Sequence, residues 1–415
     1  MSQETTHIPK LRFPEFEGEW ETKTLNSLFL VKHGFPFKSE FFVNQGNLIV
    51  TTPGNFDPEG GFRHQGPKEK FYSTLDFPSE YILKKNDLLT AMTEQAEGLI
   101  GSAILIPEDD KFLHNQRLGL LQLTDEADSF FVFHYLKTFR VRKDLSLTAA
   151  GTKVRHTSPE KIVKVKAQYP HKPEQQKIAT FLTKVDQKIE LLQRKKDQLT
   201  AYKKGMMQKL FSQEIRFKDE NGKDFPEWEE KKLGDVADRI TNKNKIDNQN
   251  VLTISAQQGL VNQMSYFNHS VAAKDLTGYY LLEKGDFAYN KSYSKGYPMG
   301  AIKKLNIYDE GVVSTLYICF RAKKSERNNY LEKYFDSGKQ NEFLQKIAQE
   351  GARNHGLLNM AVGDFFNMPI PIPQPAEQQK IANYLTALDQ KIELTDKKLN
   401  QAQTFKKGLL QQMFI

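Results

Sequence analysis

Several loop segments of this chain carry side chains suited to reading the edges of nucleic-acid bases. In the first half, Thr93, Glu94 and Gln95 follow the run DLLTAM, Asn115, Gln116 and Arg117 lead into LGLLQL, and Lys153, Arg155 and His156 follow Gly151. In the second half, Lys291 ends the run DFAYNK, Ser292, Tyr293 and Lys295 come after it, and Arg353, Asn354 and His355 follow Gly351. A carboxylate accepts from N4 of cytosine, an amide bridges N6 and N7 of adenine, and Lys or Arg donates to guanine. The loop after DLLTAM is acidic and its counterpart basic, so the two halves ask for different bases. The plainer reading of each residue is a solvated turn or a phosphate contact, which carries no sequence information. Lys32, Lys38, Lys243 and Lys245 suit phosphate only, and Ser314 and Thr315 stand where Asn115 to Arg117 would have a counterpart, which breaks that correspondence.

Catalytic chemistry has no comparable signal. The chain lacks GxxxxGK[ST], a G-x-G-x-x-G run and an Asn-Pro-Pro-Tyr type motif, and its nine histidines form no HExxH-like cluster. Glu230 and Lys232 make an E-x-K triplet of a kind that is common by chance in a lysine-rich chain. The expectation is no catalytic residue, no metal site and no cofactor held by this chain. The single cysteine, Cys319, lies in an apolar run and reads as a small core side chain. No apolar run approaches the roughly 18 residues of a membrane span, and Met1 to Leu11 does not resemble a signal peptide, so a soluble cytoplasmic protein without membrane contact is expected.

What positions the loops is a duplication. The 38 residues from Glu174, beginning EQQKIATFL, return from Glu377 as EQQKIANYL with 21 identities and no gap. In the first copy Ile178, Leu182, Val185, Ile189, Leu192, Lys196, Leu199, Lys203, Met206 and Leu210 alternate in steps of four and three, the pattern of a heptad seam. The second repeats it through Ile381, Leu385, Leu388, Ile392, Thr395, Leu399, Ala402, Lys406, Leu409 and Met413. Pro173 and Pro375 mark helix starts, and a helix of this length spans about 57 Å at about 1.5 Å per residue. Lysine within each seam favours specificity of pairing over stability. Joined through a globular insertion, two such helices satisfy their seams most simply as an antiparallel intramolecular pair, with homodimerisation as the alternative. That arrangement relates the halves by a pseudo-twofold axis and brings Met1 and Ile415 to one end. Phe181 and Tyr384, outside the seam, are left for another protein.

The formal charge is +8, and residues 171 to 212 and 374 to 414 hold +6 and +2 of it, so the remainder is near neutral. Any phosphate attraction there must come from clustered residues or from a partner. The two remaining segments share a diverged grammar: Trp20 and Leu25 match Trp228 and Leu233, ILKKNDLLTAM matches LLEKGDFAYNK, and Gly101 and Gly151 match Gly300 and Gly351. Alternating apolar runs mark strands, and Phe130 to Leu136 and Tyr330 to Ile347 read as helical. The fold class is therefore α+β: two mixed α/β modules held apart by two long antiparallel coiled-coil helices.

The motifs PEQQKIATFL and PAEQQKIANYL, each after an apolar strand ending at Pro170 or Pro373, together with ILKKNDLLTAM, HNQRLGLLQL and GTKVRHTSPEKI, resemble the specificity subunits of type I restriction-modification systems. The resemblance covers nearly the whole chain. It implies target-recognition domains at 1–170 and 213–371, and conserved helices at 171–212 and 372–415. It further implies a noncatalytic scaffold that binds a bipartite, asymmetric site in double-stranded DNA. Its partners would be two modification subunits that methylate adenine and two restriction subunits that translocate and cleave DNA. S-adenosylmethionine, ATP and Mg would then be used by those partners.

Overall fold

The computed structural model describes residues 7–57, 61–94, 98–255, 258–267, 272–293, 296–353 and 357–415, with backbone only at 349–353 and 357. The chain divides into two compact units, Met1–Gln193 with Lys397–Ile415, and Arg194–Asp396. These limits differ from the four sequence segments because each unit takes the start of one long helix and the end of the other.

In the first unit the elements that position the candidate loops are β1 (Glu21–Thr24), β2 (Phe29–His33), β3 (Leu88–Ala91), β4 (Thr93–Glu94), β5 (Ala103–Leu105), β6 (Leu118–Leu123), α1 (Ser129–Tyr135), α2 (Phe139–Leu147), β7 (Arg155–His156), β8 (Lys166–Tyr169) and the start of α3 (Lys172–Phe211). An antiparallel sheet runs β2–β6–β3–β5. All four residues of β3 are buried, Leu88 in the core that holds α1 and Leu89 and Ala91 in a second core with Ile49 and Phe112. Alternate side chains of a strand point to opposite faces, so a sheet covered on both sides needs a continuous apolar run. Asp128 caps α1, its carboxylate accepting from Phe131 N at 2.9 Å.

The second unit contains β9 (Glu229–Lys232), β10 (Ala237–Ile240), β11 (Phe287–Asn290), β12 (Ala301–Lys304), β13 (Ile318–Ala322), α4 (Asn328–Ser337), α5 (Asn341–Ile347), β14 (Gln349–Arg353), β15 (Leu357–Asn359), β16 (Pro369–Ile372) and most of α6 (Pro375–Gln412). Its sheet, β10–β13–β11–β12, is antiparallel and repeats the order of the first. Phe287 and Phe320 stack between strands at 5.1 Å. Cys319 is buried, and burial pushes its thiol up to about 12. The single helix expected from Tyr330 to Ile347 is broken: Gly338 adopts φ +77°, the left-handed conformation that ends α4, and α5 begins three residues later.

The duplicated motif does the same work in each unit. Glu174 is buried at the head of α3, where Arg12 grips it with two N–H donors at 2.8 and 2.7 Å and the Trp20 indole donates at 3.3 Å. Glu377, buried at the head of α6, is held by Arg216 at 3.1 and 2.8 Å and by Trp228 at 2.9 Å. The next residue completes the joint: the Gln175 amide donates to Pro170 O, and that of Gln378 to Pro373 O. Beside them β1 pairs with β8, and β9 with β16. Phe181 and Tyr384, expected to be free, meet Phe13 and Phe217 edge-on instead.

The helices pair antiparallel within each unit. In the first, Ile178 and Leu182 share a core with Leu409 and Met413, and Leu11 N donates to Gln412 O. Met1 lies outside the described residues. In the second unit Lys196 meets Asp396 and, seven residues on, Lys203 meets Asp389 seven residues back. Every seam position is buried or half-buried, Val185, Ile189, Leu199 and Ile392 being half-buried and Leu192, Ile381, Leu385, Leu388 and Leu399 buried. The seam lysines are thus neutralised across the pair. Lys203 with Asp389 and Lys406 with Asp186, the latter at 2.5 Å, are duplicates of one another.

Each of these aspartates also faces its module. Lys333 on α4 reaches Asp389 at 2.8 Å, whereas His134 on α1 stands 3.9 Å from Asp186. Burial, then the charges of Lys137 and Lys406, holds His134 well below the ordinary imidazole range, so it stays neutral there. Burial works against the charge on Asp389, but the hydrogen bonds from Lys203 and Lys333 outweigh it and its pKa falls below the usual value. Its contribution to stability is therefore complete above the ordinary carboxylate range and is lost as pH drops through the depressed value. Asp389→Ala leaves two lysines facing each other and should cost about 1–2 kcal/mol in urea unfolding at pH 7, less than the about 3–5 of a fully buried pair. The deficit should shrink as pH falls below the ordinary carboxylate range and the native carboxylate protonates.

Candidate nucleic-acid interface

In the first unit the three candidate loop sets, far apart in sequence, meet at one end of the sheet. β4 pairs antiparallel with β7, setting Glu94 opposite Arg155 and Thr93 opposite His156. Met92, between β3 and β4, donates its N–H to Arg117 O at 3.1 Å and accepts from Thr157 N at 3.0 Å. The segments around 92, 117 and 157 are thereby tied into one surface. Gly151 makes the return possible: its φ is +118°, and a Cβ there would lie 2.2 Å from Val154 O. Asn115 lies against Gly34, where a Cβ would come within 2.1 Å of Asn115 O.

This geometry corrects part of the sequence reading. Glu94 is 3 % exposed and spends its carboxylate inside the protein, accepting from Leu99 N at 2.8 Å, Ile100 N at 2.9 Å and the Arg155 guanidinium at 2.7 Å. It is a structural anchor and not a cytosine reader. Arg155 is engaged in the same joint, with its second terminal nitrogen donating to Ser146 O at 2.7 Å. Asn115 is buried, and its side-chain oxygen accepts from Arg117 N at 3.0 Å. Gln116, Arg117, Lys153 and His156 face solvent, Thr93 is half-buried, and Gln95 lies outside the described residues.

The second unit brings its two loop sets together in the same way. Leu358 N on β15 donates to Lys291 O at 3.0 Å, which docks the β14–β15 hairpin on the loop after β11. Asn290 shapes that loop, its side-chain oxygen accepting from Ser292 N at 3.0 Å. Lys291 and Ser292 are half-buried and Tyr293 is 64 % exposed. Arg353 ends β14. Lys295, Asn354 and His355 lie outside the described residues.

The phosphate candidates also divide. Lys32 is paired with Glu80 at 2.8 Å over the Tyr81 ring, and Lys243 donates to Gly278 O over the Tyr280 ring, whereas Lys38 and Lys245 are exposed. Sequence reasoning missed α2, whose FRVRKDLSL carries Arg140, Arg142 and Lys143 beside the Glu94 joint. Burial holds Arg142 below the ordinary guanidinium range, with the charge of Glu94 acting against it. The closely spaced basic residues were a legible signal for a cationic helix.

The buried anchor and the exposed loop separate in experiment. Glu94→Ala removes the acceptor for two backbone N–H groups and for Arg155, and should cost about 2–4 kcal/mol of first-unit stability in urea unfolding. Lys153→Ala, on the exposed loop, should change stability by about 0.5 kcal/mol or less.

Three comparisons bear on this arrangement. The family model described as type I restriction modification DNA specificity domain matches residues 17–201 and again 226–404, one match for each half of the duplication. A curated relative, the type I restriction enzyme MjaVIII specificity subunit of Methanocaldococcus jannaschii, is 26 % identical over 222 residues, 51 % of this chain. The chain spans about half the length of that relative, 50 %. In fold, the chain is similar to the crystal structure of a type I restriction-modification system S subunit from M. genitalium, with a TM-score of 0.59, 18 % identity and coverage of 98 % of this chain and 99 % of that one. Matched twice by one model, and over most of its length, the chain belongs to the type I restriction-modification DNA specificity family.

Proposed function

We propose that this chain is the DNA sequence-specificity subunit of a type I restriction-modification complex. It binds an asymmetric bipartite site, one half-site per recognition module, and directs adenine methylation and restriction by partner subunits. The observation that carries this reading is the repetition of one scaffold with different loops. Both units have the same sheet order and each draws its candidate loop sets together, three in the first and two in the second, yet Arg117, Lys153 and His156 face solvent in one and Tyr293 in the other. A scaffold that is kept while its loops differ is suited to asking two different questions of base edges. Modules of near-zero net charge leave part of the phosphate attraction to partners.

The chain itself is noncatalytic in this reading. S-adenosylmethionine, ATP and Mg belong to the modification and restriction subunits, two of each matching the duplication. Among the described residues no helix is long and apolar enough to cross a membrane, and in this reading the complex works in the cytoplasm, where its DNA substrate would be met. A coiled-coil adaptor without DNA specificity has no observation in its favour. Replacing residues 213–371 with another module of the family should change one half of the methylated motif and leave the other intact, as read by single-molecule sequencing of methylated adenine. Simultaneous loss of both halves, in a hybrid that still assembles and methylates, would contradict one half-site per module.

A further inference from the structure

Around the buried carboxylate of the first unit stand two guanidiniums, and the fold uses only one of them. Glu94 is satisfied without Arg142: one of its oxygens accepts from Arg155 at 2.7 Å and the other from Leu99 N and Ile100 N. Arg142, on α2, borders the same joint, with Nη2 3.9 Å from the place that a Cβ on Gly98 would occupy. It is half-buried and feels the charge of Glu94, yet it forms no hydrogen bond or ion pair among the described residues. A cation partly stripped of water and given no partner is a cost to the free protein. The joint therefore carries one positive charge more than its structure requires.

Helical spacing says where that charge points. Arg142 and Ser146 lie four residues apart on one flank of α2. Ser146 O accepts from Arg155, so this flank meets the joint. The strands of the joint, β4 and β7, carry Thr93 and His156, and Met92 ties Arg117 to them. Arg142 thus borders the candidate reading surface. Phe139, Lys143 and Leu147 share the outer face of α2 instead, Phe139 being 82 % exposed and Leu147 73 %. Arg140 and Lys143 are exposed and unpaired among the described residues, so α2 sets three cations against the single carboxylate of Asp144. In the second unit the helix that follows α4 has one cation, Lys346, and Glu342 pairs with it at 3.0 Å. The surplus belongs to the first unit.

Resting on the specificity-subunit reading, we propose that Arg142 grips a backbone phosphate of the half-site bound by the first module, while Arg155 beside it serves the fold alone. A phosphate returns Coulombic as well as hydrogen-bond attraction to a partly desolvated cation, and its oxygens match the planar fork of the guanidinium. A base edge would return hydrogen bonds only. The contact sets the position of the duplex against the loops and carries no base information. It also gives a module of near-zero net charge a local source of phosphate attraction.

The test uses the full-length chain assembled with its modification subunit, on duplexes carrying the motif that it methylates. Arg142→Ala should weaken binding about tenfold at low salt and make the dependence of log affinity on log salt shallower by about one. The methylated motif should stay the same. The free variant chain should melt at the wild-type temperature or above, since an unpaired cation has been removed, whereas Arg155→Ala should melt lower. Arg142→Lys should keep the salt slope and lose only a few-fold in affinity. A single methylphosphonate beside the half-site that survives exchange of residues 213–371 should weaken the wild-type complex and leave Arg142→Ala unaffected.

Wild-type affinity and salt slope in Arg142→Ala would overturn the phosphate grip. Intact DNA binding with a looser hold on the modification subunit would overturn it in favour of a protein contact, and a changed base in the methylated motif in favour of base readout. A lower melting temperature that accounts for the lost binding would overturn it by making the residue structural. A wild-type assembly that methylates no bipartite motif would defeat the specificity-subunit reading and the grip together. Wild-type methylation of such a motif with an indifferent Arg142 variant would defeat the grip alone.

Discussion

The joint at the head of each long helix is the constraint on which the rest depends. A buried carboxylate is tolerated only when its charge is met and its lone pairs are filled. Glu174 and Glu377 achieve this with a two-pronged arginine and an indole from the segment that opens the same module. The N-terminal dipole of the helix adds to that stabilisation. The strand that closes each module leads directly into this joint, and the first strand of the module pairs with it. Beginning, end and helix are thus fixed at one place, which leaves the loops elsewhere in the module free to differ.

The pairing of the helices follows from duplication as much as from apolar contact. Because the two copies carry Asp and Lys at the same heptad positions, an antiparallel match that makes one Lys to Asp pair necessarily makes its duplicate. Lysine at a seam position therefore does not merely weaken the pair. It fixes register, since a shift by one heptad would leave one Lys to Asp pair where the native register makes three.

The helices were legible in the sequence because a four-three spacing sustained over ten positions is the mark of a paired helix and of little else, and all twenty seam positions avoid full exposure. The joint was partly legible, as the Glu and Gln recur in both copies, but its arginines lie about 160 residues away and no local pattern names them. Sheet order was not legible for the same reason: β2, β6, β3 and β5 are brought together by non-local pairing. Gly338, a residue that ends helices by its left-handed freedom, was the missed signal within Tyr330 to Ile347. Glu94 was misread because a carboxylate between Thr93 and Gln95 has the composition of a solvated loop. Its role is set by Arg155, 61 residues on, and by two backbone N–H groups that only the fold delivers.

The central claim is that this chain supplies sequence specificity through two distinct readers. It is tested most directly by single-molecule sequencing of adenine methylation in cells carrying the modification subunit with and without this chain. The account predicts a methylated motif made of two unlike half-sites separated by an unspecified spacer, present only with the chain. An active, correctly assembled modification subunit that yields no such motif, or the same motif without the chain, would contradict it.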